Sequence, residues 1–415
     1  MQPAADAHAT INAVWRIESP KLIARLARMT RDVGLAEELA QDALVTALEK
    51  WPEVGVPENP GAWLMATAKN RALDAMRRTK MAERKHEELP APVAERPDIE
   101  TALDDDIGDD LLRLIFTACH PVLSTEARLA LTLRLLGGLT VPEIARAFLA
   151  SEPTIAQRIV RAKKTLADAG VPFEIPRGEE REARLSSVLE VIYLLFNEGY
   201  AATAGDDWMR PALCEDAMRL GRVLAGLMPD EPEVHGLVAL MEIQASRIAA
   251  RTGPKGEPIL LLDQNRARWD WTLIGRGLAG LDRALRLGGQ GPYVVQAAIA
   301  ACHGRARRAE DTDWQMIARL YGVLVQLVPS PVVELNRAVA VSMAEGPAAG
   351  LAIVDALRDE PALQSYHLLY GVRADLLIKL GRTEEARPEL ERAAALTKNE
   401  RERQVLLERI RSIGG

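Results

Sequence analysis

The sequence predicts an all-α protein in which two small helical domains precede a long helical C-terminal domain. Nearly half of the 415 residues are apolar and only 4% are aromatic, while Ala, Leu and Arg are abundant. Residues of these types favour helix over sheet. Apolar side chains also recur at helical spacing along most of the chain. A chain of this length predicts two to four domains, and its apolar content is enough for well-formed cores.

The distribution of charge indicates where the domains end. Residues 69–85 carry seven basic and two acidic side chains, a net charge of +5, whereas residues 87–110 carry ten acidic and one basic, a net charge of −9. The second segment also contains prolines, and it is typical of an extended linker because it cannot bury apolar surface. A further break at residues 172–180 contains two prolines and a glycine. We therefore divide the chain into a first domain at 1–82, an acidic linker at 83–107, a second domain at 108–172 and a C-terminal domain at 180–415.

Several classes of protein are disfavoured by composition. Three cysteines at positions 119, 214 and 302 are too far apart for a disulfide framework, so a reducing cytosol is the simplest environment. Neither a signal-peptide pattern nor an apolar run of about 18 residues is evident, so we expect a cytoplasmic protein without a membrane span. The net charge of −7 argues against a protein that coats nucleic acid non-specifically.

The first domain is predicted to contain helices with one apolar and one charged face. In LAEELAQDALVTALEKW, residues 35–51, an apolar stripe comprises Leu35, Leu39, Ala43 and Ala47, whereas Glu38, Gln41, Asp42 and Glu49 project elsewhere. A solvated surface is the ordinary interpretation of such an acidic face. A loop with Asn59 leads to a helix, AWLMATAKNRALDAMRRTK, with Leu64, Ala68, Leu73 and Met76 facing inward. The basic edge of this helix consists of Lys69, Asn70, Arg71, Arg77 and Arg78. Such an edge is by itself only weak evidence for contact with phosphate.

The second domain contains the pattern of a helix-turn-helix. Thr140 and Glu143 form a capping box, in which each side chain satisfies the other residue's free backbone N–H. After a short break, Ser151 is placed to cap a second helix that has Pro153 in its first turn. The buried face of that helix is predicted to comprise Ile155, Ile159, Ala162 and Leu166, and the exposed face Thr154, Gln157, Arg158, Arg161 and Lys164. Gln and Arg make bidentate contacts with base edges in the major groove, so this exposed face suits DNA readout. The alternative interpretation of the segment is a helical hairpin with a cationic surface.

Two stretches of the first domain, LAEELAQDALVTALEKWP and ENPGAWLMATAKNRALDAMRR, resemble conserved region 2 of the sigma-70 family, in its extracytoplasmic-function branch. The resemblance covers about residues 12–80. The segment EARLALTLRLLGGLTVPEIARAFLASEPTIAQRIVRAKKTLADAG resembles sigma region 4. Two matching domains in the right order, joined by an acidic linker, are a more specific signal than either domain alone.

The resemblance implies a sigma factor that directs promoter-specific transcription initiation, with core RNA polymerase and promoter DNA as partners. In the family, the helix that corresponds to AEELAQD contacts the clamp of the beta-prime subunit, and the beta subunit is the other partner in the core enzyme. The following loop and helix open and read the −10 element, and region 4 reads the −35 element. Carried over, Glu38, Gln41 and Asp42 would face polymerase. The DNA-facing residues would be Asn59, Lys69, Asn70, Arg71, Arg77 and Arg78 in region 2 and Thr154, Gln157, Arg158, Arg161 and Lys164 in region 4. We interpret Trp63 as a core residue.

The C-terminal domain is predicted to consist of helical hairpins. In YGVRADLLIKLGRTEEARPELERAAALT, small or apolar residues occupy the packing positions of a tetratricopeptide hairpin: Ala374, Leu377, Leu380, Gly381, Ala386, Leu390 and Ala394. Gly346 precedes Gly381 by 35 residues, close to the repeat length of about 34. Stacked hairpins form a concave surface that commonly binds protein, so a protein partner is possible for this domain. The whole arrangement resembles a subgroup of sigma factors with a C-terminal tetratricopeptide-like domain.

Other functions find less support in the sequence. The stretch from Gly275 to Gly280 has the letters of a dinucleotide fingerprint, but neither a preceding strand nor the acidic partner. The pairs at 119–120 and 302–303 are Cys-His without metal-ligand spacing, and Asp311 and Asp313 are more simply helix caps than a polar site. We therefore expect no metal, no cofactor, no catalytic residues and no enzymatic activity. The alternative to a sigma factor is a helix-turn-helix transcriptional regulator with a ligand- or protein-sensing helical domain, which would have no reason to carry residues 35–52.

Overall fold

The computed structural model describes residues 2–86, 107–148, 150–201, 209–254 and 258–413, and over these residues the protein is helical with no strand. The all-α prediction is therefore confirmed. One isolated antiparallel bridge joins Thr252 to Pro258. The chain forms two compact units, Met1–Val191 and Ile192–Gly415. The division between them falls within a single helix, so the first half of that helix belongs to the first unit.

The first unit contains two groups of helices that follow each other in sequence. Their bounds are α1 Gln2–Thr30, α2 Val33–Val54, α3 Pro60–His86, α4 Ile107–Ala118, α5 Thr125–Leu135, α6 Val141–Ala147, α7 Glu152–Asp168 and the beginning of α8, Gly178–Tyr200. Helices α1, α2 and α3 pack on one another, and α5 packs on α4, α6 and α7. Helix α1 also packs against α4 and α5, so the two groups are in direct contact.

The first three helices pack closely because α2 presents small residues to its neighbours. Asp32 caps this helix by accepting hydrogen bonds from the backbone N–H groups of Gly34 and Leu35. The predicted stripe is buried at Leu39, Ala43 and Ala47, while Leu35 is half-buried. Alanines on a contact face allow two helix backbones to approach each other. The interior is completed by large side chains from all three helices, among them Leu22, Ile23 and Leu26, Trp51, and Leu64.

The first half of α8 completes the second group of helices. Arg184, which is 3% exposed, donates a hydrogen bond of 3.0 Å to the carbonyl oxygen of Phe116, and Ser187 donates one of 2.7 Å to that of Cys119. These carbonyls lie at the end of α4, where backbone acceptors have no partner within the helix. Arg128 of α5 in turn donates to Ser187 and pairs with Glu190 at 2.9 Å. This part of α8 therefore satisfies polar groups of the helices that precede it.

The second unit is a succession of helices, most of them packed mainly on their neighbours in sequence. It continues from α8 with α9 Pro211–Leu227, α10 Pro232–Ala245, α11 Trp271–Arg286, α12 Pro292–Arg305, α13 Trp314–Leu327, α14 Pro331–Glu345, α15 Pro347–Ala356, α16 His367–Lys379, α17 Thr383–Leu396 and α18 Glu400–Ser412. Contacts between sequence neighbours are typical of an array of helical hairpins.

The predicted hairpin near the C-terminus is formed by α16 and α17. The predicted packing positions Ala374, Leu377, Ala386, Leu390 and Ala394 are all buried, and Leu380 is partly buried. The turns of this hairpin and of the α14–α15 hairpin contain Gly381 at φ +75° and Gly346 at φ +105°. Both angles lie in the region that disfavours residues with a Cβ, so the two glycines have the same role in reversing the chain.

Two motifs that the sequence analysis set aside have structural roles. The glycines at 275–280 lie within α11, and Gly277 packs so closely against α10 that an added Cβ would meet Ile243 at 2.6 Å. Asp313 caps α13 by accepting a hydrogen bond of 2.8 Å from the backbone N–H of Met316. The interpretation of Asp313 as a cap is confirmed, whereas Asp311 forms an ion pair of 2.9 Å with Arg308 instead of capping a helix. Of the three glycines, Gly277 is the one that allows close helix packing.

Candidate nucleic-acid interface

The helix-turn-helix is held by side chains that cap both of its helices. Glu143 accepts hydrogen bonds of 2.8 Å from the backbone N–H and from the hydroxyl of Thr140, and Thr140 accepts one of 3.4 Å from the backbone N–H of Glu143. Burial acts to raise the pKa of Glu143, but hydrogen bonds from Thr140 and Arg16 hold it below its ordinary value. Ser151 caps α7 by accepting from the backbone N–H of Thr154. Helix α7 therefore begins at a fixed point after a short turn.

Helix α7 has the two faces that its sequence predicts. Its buried residues are Ile155, Ile159, Ala162 and Leu166. Thr154, Gln157, Arg161 and Lys164 are exposed, and Arg158 is half-buried. A groove of about 460 Å³ runs between α7 and the start of α5, and the α7 residues that line it include Thr154, Gln157, Arg158 and Arg161. The structure thus brings four of the five predicted region 4 contacts to one groove, while Lys164 lies outside it.

The predicted polymerase-facing residues lie on one side of α2, and their side chains differ in exposure and in the partners they contact. Glu38 and Asp42 are exposed, and Asp42 forms an ion pair of 2.9 Å with Arg71 of α3. Arg71 also donates a hydrogen bond of 2.9 Å to the hydroxyl of Thr46, which places this predicted DNA contact against α2. Gln41 donates a hydrogen bond of 2.5 Å to the buried Glu37. The amide of Gln41 therefore helps to hold Glu37 in place.

A second groove, of about 530 Å³, lies between α1 and α3 and contains two of the predicted DNA contacts, Asn59 and Lys69. Asn59 also caps α3 by accepting from the backbone N–H of Ala62 at 3.0 Å. Lys21 and Arg25 of α1 also line this groove and were not among the predicted DNA contacts. Their four-residue spacing on one helix face is the signal that would have found them.

The remaining predicted region 2 contacts lie further along α3. Asn70 is exposed and does not line the groove between α1 and α3. Arg77 and Arg78 lie within α3, but the description of the structure does not extend to their side chains. The same is true of Met76, which the sequence predicts to face inward. Of the acidic linker predicted at 83–107, residues 87–106 lie outside the described residues, whereas 83–86 continue α3 and residue 107 begins α4.

Trp63 lies beside the core of region 2. It is half-buried and packs edge to face against the buried Trp51, with a distance of 5.3 Å between the ring centroids. An edge-to-face arrangement is one of the geometries that aromatic rings prefer. Trp63 therefore lies at the edge of the core and packs against it.

The two helix groups of the first unit are joined by ion pairs that the sequence did not reveal. The carboxylate of Glu37, a residue only 4% exposed, lies 2.6 Å from the Nε of Arg134 in α5 and forms a second ion pair with Lys163 of α7. Nearby, Arg16 of α1 pairs at 2.7 Å with the capping residue Glu143. The helix that carries the predicted base contacts is thus tied through Lys163 to the helix that carries the acidic face.

Three known families match parts of the chain. The sigma-70 region 2 family matches residues 15–81, the sigma-70 region 4 family matches residues 113–166, and a family of unknown function, DUF6596, matches residues 184–285. A protein of Rhizobium meliloti (strain 1021), itself named only as uncharacterized, is 45% identical over 386 residues, which cover 92% of this chain and 90% of the relative.

The two sigma-70 matches fall on the two helix groups of the first unit in the order of the chain, region 2 on α1–α3 and region 4 on α4–α7. The presence of region 2 is the feature that separates a sigma factor from a helix-turn-helix regulator. Both regions together imply core RNA polymerase and promoter DNA as partners. Among the described helices, none is long and apolar enough to span a membrane. The chain belongs to the sigma-70 family, and it is an RNA polymerase sigma factor.

Proposed function

We propose that this sigma factor belongs to the extracytoplasmic-function branch and directs polymerase to its own set of promoters in the cytoplasm. The observation that carries the proposal is the short interval between the two sigma regions. Only 31 residues, 82–112, separate the match to region 2 from the match to region 4. Transcription in vitro with purified core polymerase and a promoter library tests it. Initiation at promoters that share −10 and −35 motifs is expected, and no initiation from any promoter would contradict it.

The exposed faces support a division of labour among the described residues. The acidic side of α2, with Glu38 and Asp42, would bind the polymerase clamp. The groove between α1 and α3 would take part in reading the −10 element through Asn59 and Lys69, assisted by Lys21. The groove beside α7 would read the −35 element. In this scheme Arg71 has a positioning role, since its guanidinium joins α3 to Asp42 and Thr46 on α2.

Base readout by α7 gives a specific prediction. We expect Arg158→Ala and Gln157→Ala each to cost about 1–3 kcal/mol at one position of the −35 element, because a bidentate contact discriminates against the wrong base. Promoter activity across a library of −35 variants measures this effect. Lys164→Ala, on the same helix but outside the groove, is the matched control and should weaken all promoters alike. An equal loss at every −35 sequence for Arg158→Ala would show that Arg158 does not read a base.

The contact between regions 2 and 4 supports the proposal that the sigma domains separate when promoter DNA is bound. The −10 and −35 elements are about 25 base pairs apart, or about 85 Å at about 3.4 Å per base pair. Helix α1 packs directly on α4 and α5, and Glu37 ties α2 to α7. Two regions in direct contact cannot reach two elements that far apart. The packed arrangement would therefore be that of the free protein, and binding to polymerase would open it.

The C-terminal extension is proposed to support region 4, and its tetratricopeptide-like hairpins would add a surface for a protein partner. The support comes from α8, which provides Arg184 and Ser187 as donors to the end of α4. Leu185, Val188 and Leu189 of the same helix are buried. A chain that lacked α8 would expose this apolar surface and leave these backbone acceptors without their partners. We therefore infer that region 4 and the extension are energetically coupled.

Truncation tests the coupling. We expect a chain that ends after residue 178 to initiate transcription less well than the full chain, since region 4 loses the packing of α8. The measurement is transcription in vitro from a cognate promoter, together with the thermal stability of region 4. Arg184→Met in the full chain should reproduce part of the loss, whereas Glu182→Gln, at an exposed position of α8, should not. Activity equal to that of the full chain would make the extension an independent passenger, and higher activity would make it an inhibitor; either result contradicts a supporting role.

A further inference from the structure

The second unit contains a cavity of about 290 Å³. Its walls come from α8, α10, α12, α13 and α14 and from the irregular segment that precedes α11. The volume is near the lower end of the range of about 300–1,000 Å³ that is common for ligand sites. It corresponds to roughly ten water molecules at about 30 Å³ each, so it suits a small organic molecule.

The walls of the cavity combine aromatic rings with amide groups. The rings of Tyr193, Trp269 and Tyr321 contribute to the lining, together with aliphatic residues such as Leu240 and Ile243. The amides are those of Gln244, Gln296 and Asn336. Aromatic walls favour a planar apolar group, and a few convergent polar groups fix its orientation.

The charge of the cavity is positive. Arg247 contributes to the lining, and among the lining residues that the structure describes none is acidic. Within the described part of the chain, the Arg247 side chain has neither a hydrogen bond nor an ion pair; it lies instead 5.7 Å from the ring of Tyr200 and 5.9 Å from that of Trp269. A second guanidinium, that of Arg266, lies 4.7 Å from the Trp269 ring and donates to the carbonyl oxygens of His303 and Ala306. Two cations near one aromatic wall, with no lining carboxylate, favour an anion.

Three buried polar atoms of lining residues have no hydrogen-bond partner among the described residues: Arg247 Nε, Trp269 Nε1 and His303 Nδ1. Most buried polar groups in folded proteins are hydrogen-bonded, and each one that is not costs free energy. Burial, followed by the charges of Arg247 and Arg266, lowers the pKa of His303 to about 3. The imidazole is therefore neutral, and one of its nitrogens is available to a ligand. Three such atoms around one cavity indicate a site for a polar molecule.

We propose that this cavity binds a small organic carboxylate with a planar apolar body. The carboxylate would pair with Arg247, since a guanidinium donates two parallel hydrogen bonds to such a group. Arg247 is the one lining guanidinium, because Arg266 lies outside the lining and already donates to two carbonyl oxygens. One guanidinium balances one negative charge, which favours a monoanion. The planar body would lie against Trp269 and the tyrosine rings. This ligand site is independent of the role in promoter recognition, and its test is direct binding.

The test uses the full-length protein and benzoate as the probe, with benzamide as its uncharged counterpart. Benzoate is expected to raise the melting temperature in proportion to its saturation of the site and to give a calorimetric binding curve. Benzamide is expected to bind at least about tenfold more weakly, because it cannot form a charged pair with Arg247. Arg247→Met should weaken benzoate binding by at least the same factor. The control is Arg286→Met at an exposed position of α11, which should leave benzoate binding unchanged.

Each result decides for or against the proposal. Arg247→Met is folded if its circular dichroism spectrum and its ligand-free melting temperature match those of the unsubstituted chain. If it does not fold, Gln244→Leu and Asn336→Leu provide the test, because they alter two other walls of the cavity. The absence of a benzoate effect at 20 mM would overturn the proposal. Benzoate affinity equal to that of the unsubstituted chain in Arg247→Met, or in both amide variants if Arg247→Met does not fold, would also overturn it. Inorganic phosphate that binds as tightly as benzoate would show a general anion site and would refute the aromatic carboxylate.

Discussion

Reversal of two charges on α2, Glu38→Lys with Asp42→Lys, should abolish co-purification of this sigma factor with core RNA polymerase. Both side chains are exposed and lie one helical turn apart, so a partner can contact them together. Loss of one partner from a hydrogen-bonded charge pair that an interface buries costs about 2–5 kcal/mol. Two reversals that also introduce repulsion should therefore weaken binding by more than about 100-fold. The measurement is retention of core polymerase on the immobilised sigma factor.

The fold is expected to survive this double reversal. The Asp42–Arg71 ion pair is lost, but the two side chains are 60% and 42% exposed, and such surface pairs contribute about 0–1 kcal/mol. Glu384→Lys with Glu391→Lys, at two exposed positions of α17, makes the same change in total charge and serves as the control. Polymerase retention equal in both variants would remove the acidic face of α2 from the interface.

Glu37→Gln should loosen the contact between regions 2 and 4. The substitution keeps the size of the side chain but removes the negative charge that lies between Arg134 and Lys163. Removal of one partner from a buried ion pair costs about 3–5 kcal/mol. Because the side chains of Arg134 and Lys163 are 18% and 20% exposed, solvent screens part of this loss, and we expect about 2–3 kcal/mol. That change shifts a closed-to-open equilibrium by roughly 30- to 150-fold.

The consequences of Glu37→Gln are a lower melting temperature and a larger radius of gyration in small-angle scattering, both measured without polymerase. Glu38→Gln is a closely matched control, since it makes the same chemical change one residue away at an exposed position. If opening limits assembly, Glu37→Gln should also bind core polymerase faster than the unsubstituted chain. A melting temperature and radius equal to those of Glu38→Gln would show that this ion-pair cluster does not hold the two regions together.

The sequence by itself determined the local architecture of this protein. Helix positions, the capping box at Thr140 and Glu143, and the buried and exposed faces of α7 follow from capping chemistry and from a periodicity of 3.6 residues. The α16–α17 hairpin was predictable for the same reason, since its glycine and alanines occupy fixed positions in a local repeat. All of these features depend on residues within a few turns of one another.

Only the tertiary structure decided what joins distant residues. Glu37 was one acid among several on α2, and its partner Arg134 is 97 residues away. Asp42 and Arg71 were assigned to different partners, yet they form an ion pair. The cavity of the second unit combines residues from Tyr193 to Asn336, none of which forms a sequence motif with the others. Periodicity specifies which face of a helix is buried, but not which helix covers it, because docking depends on side-chain shape and charge summed over the whole unit.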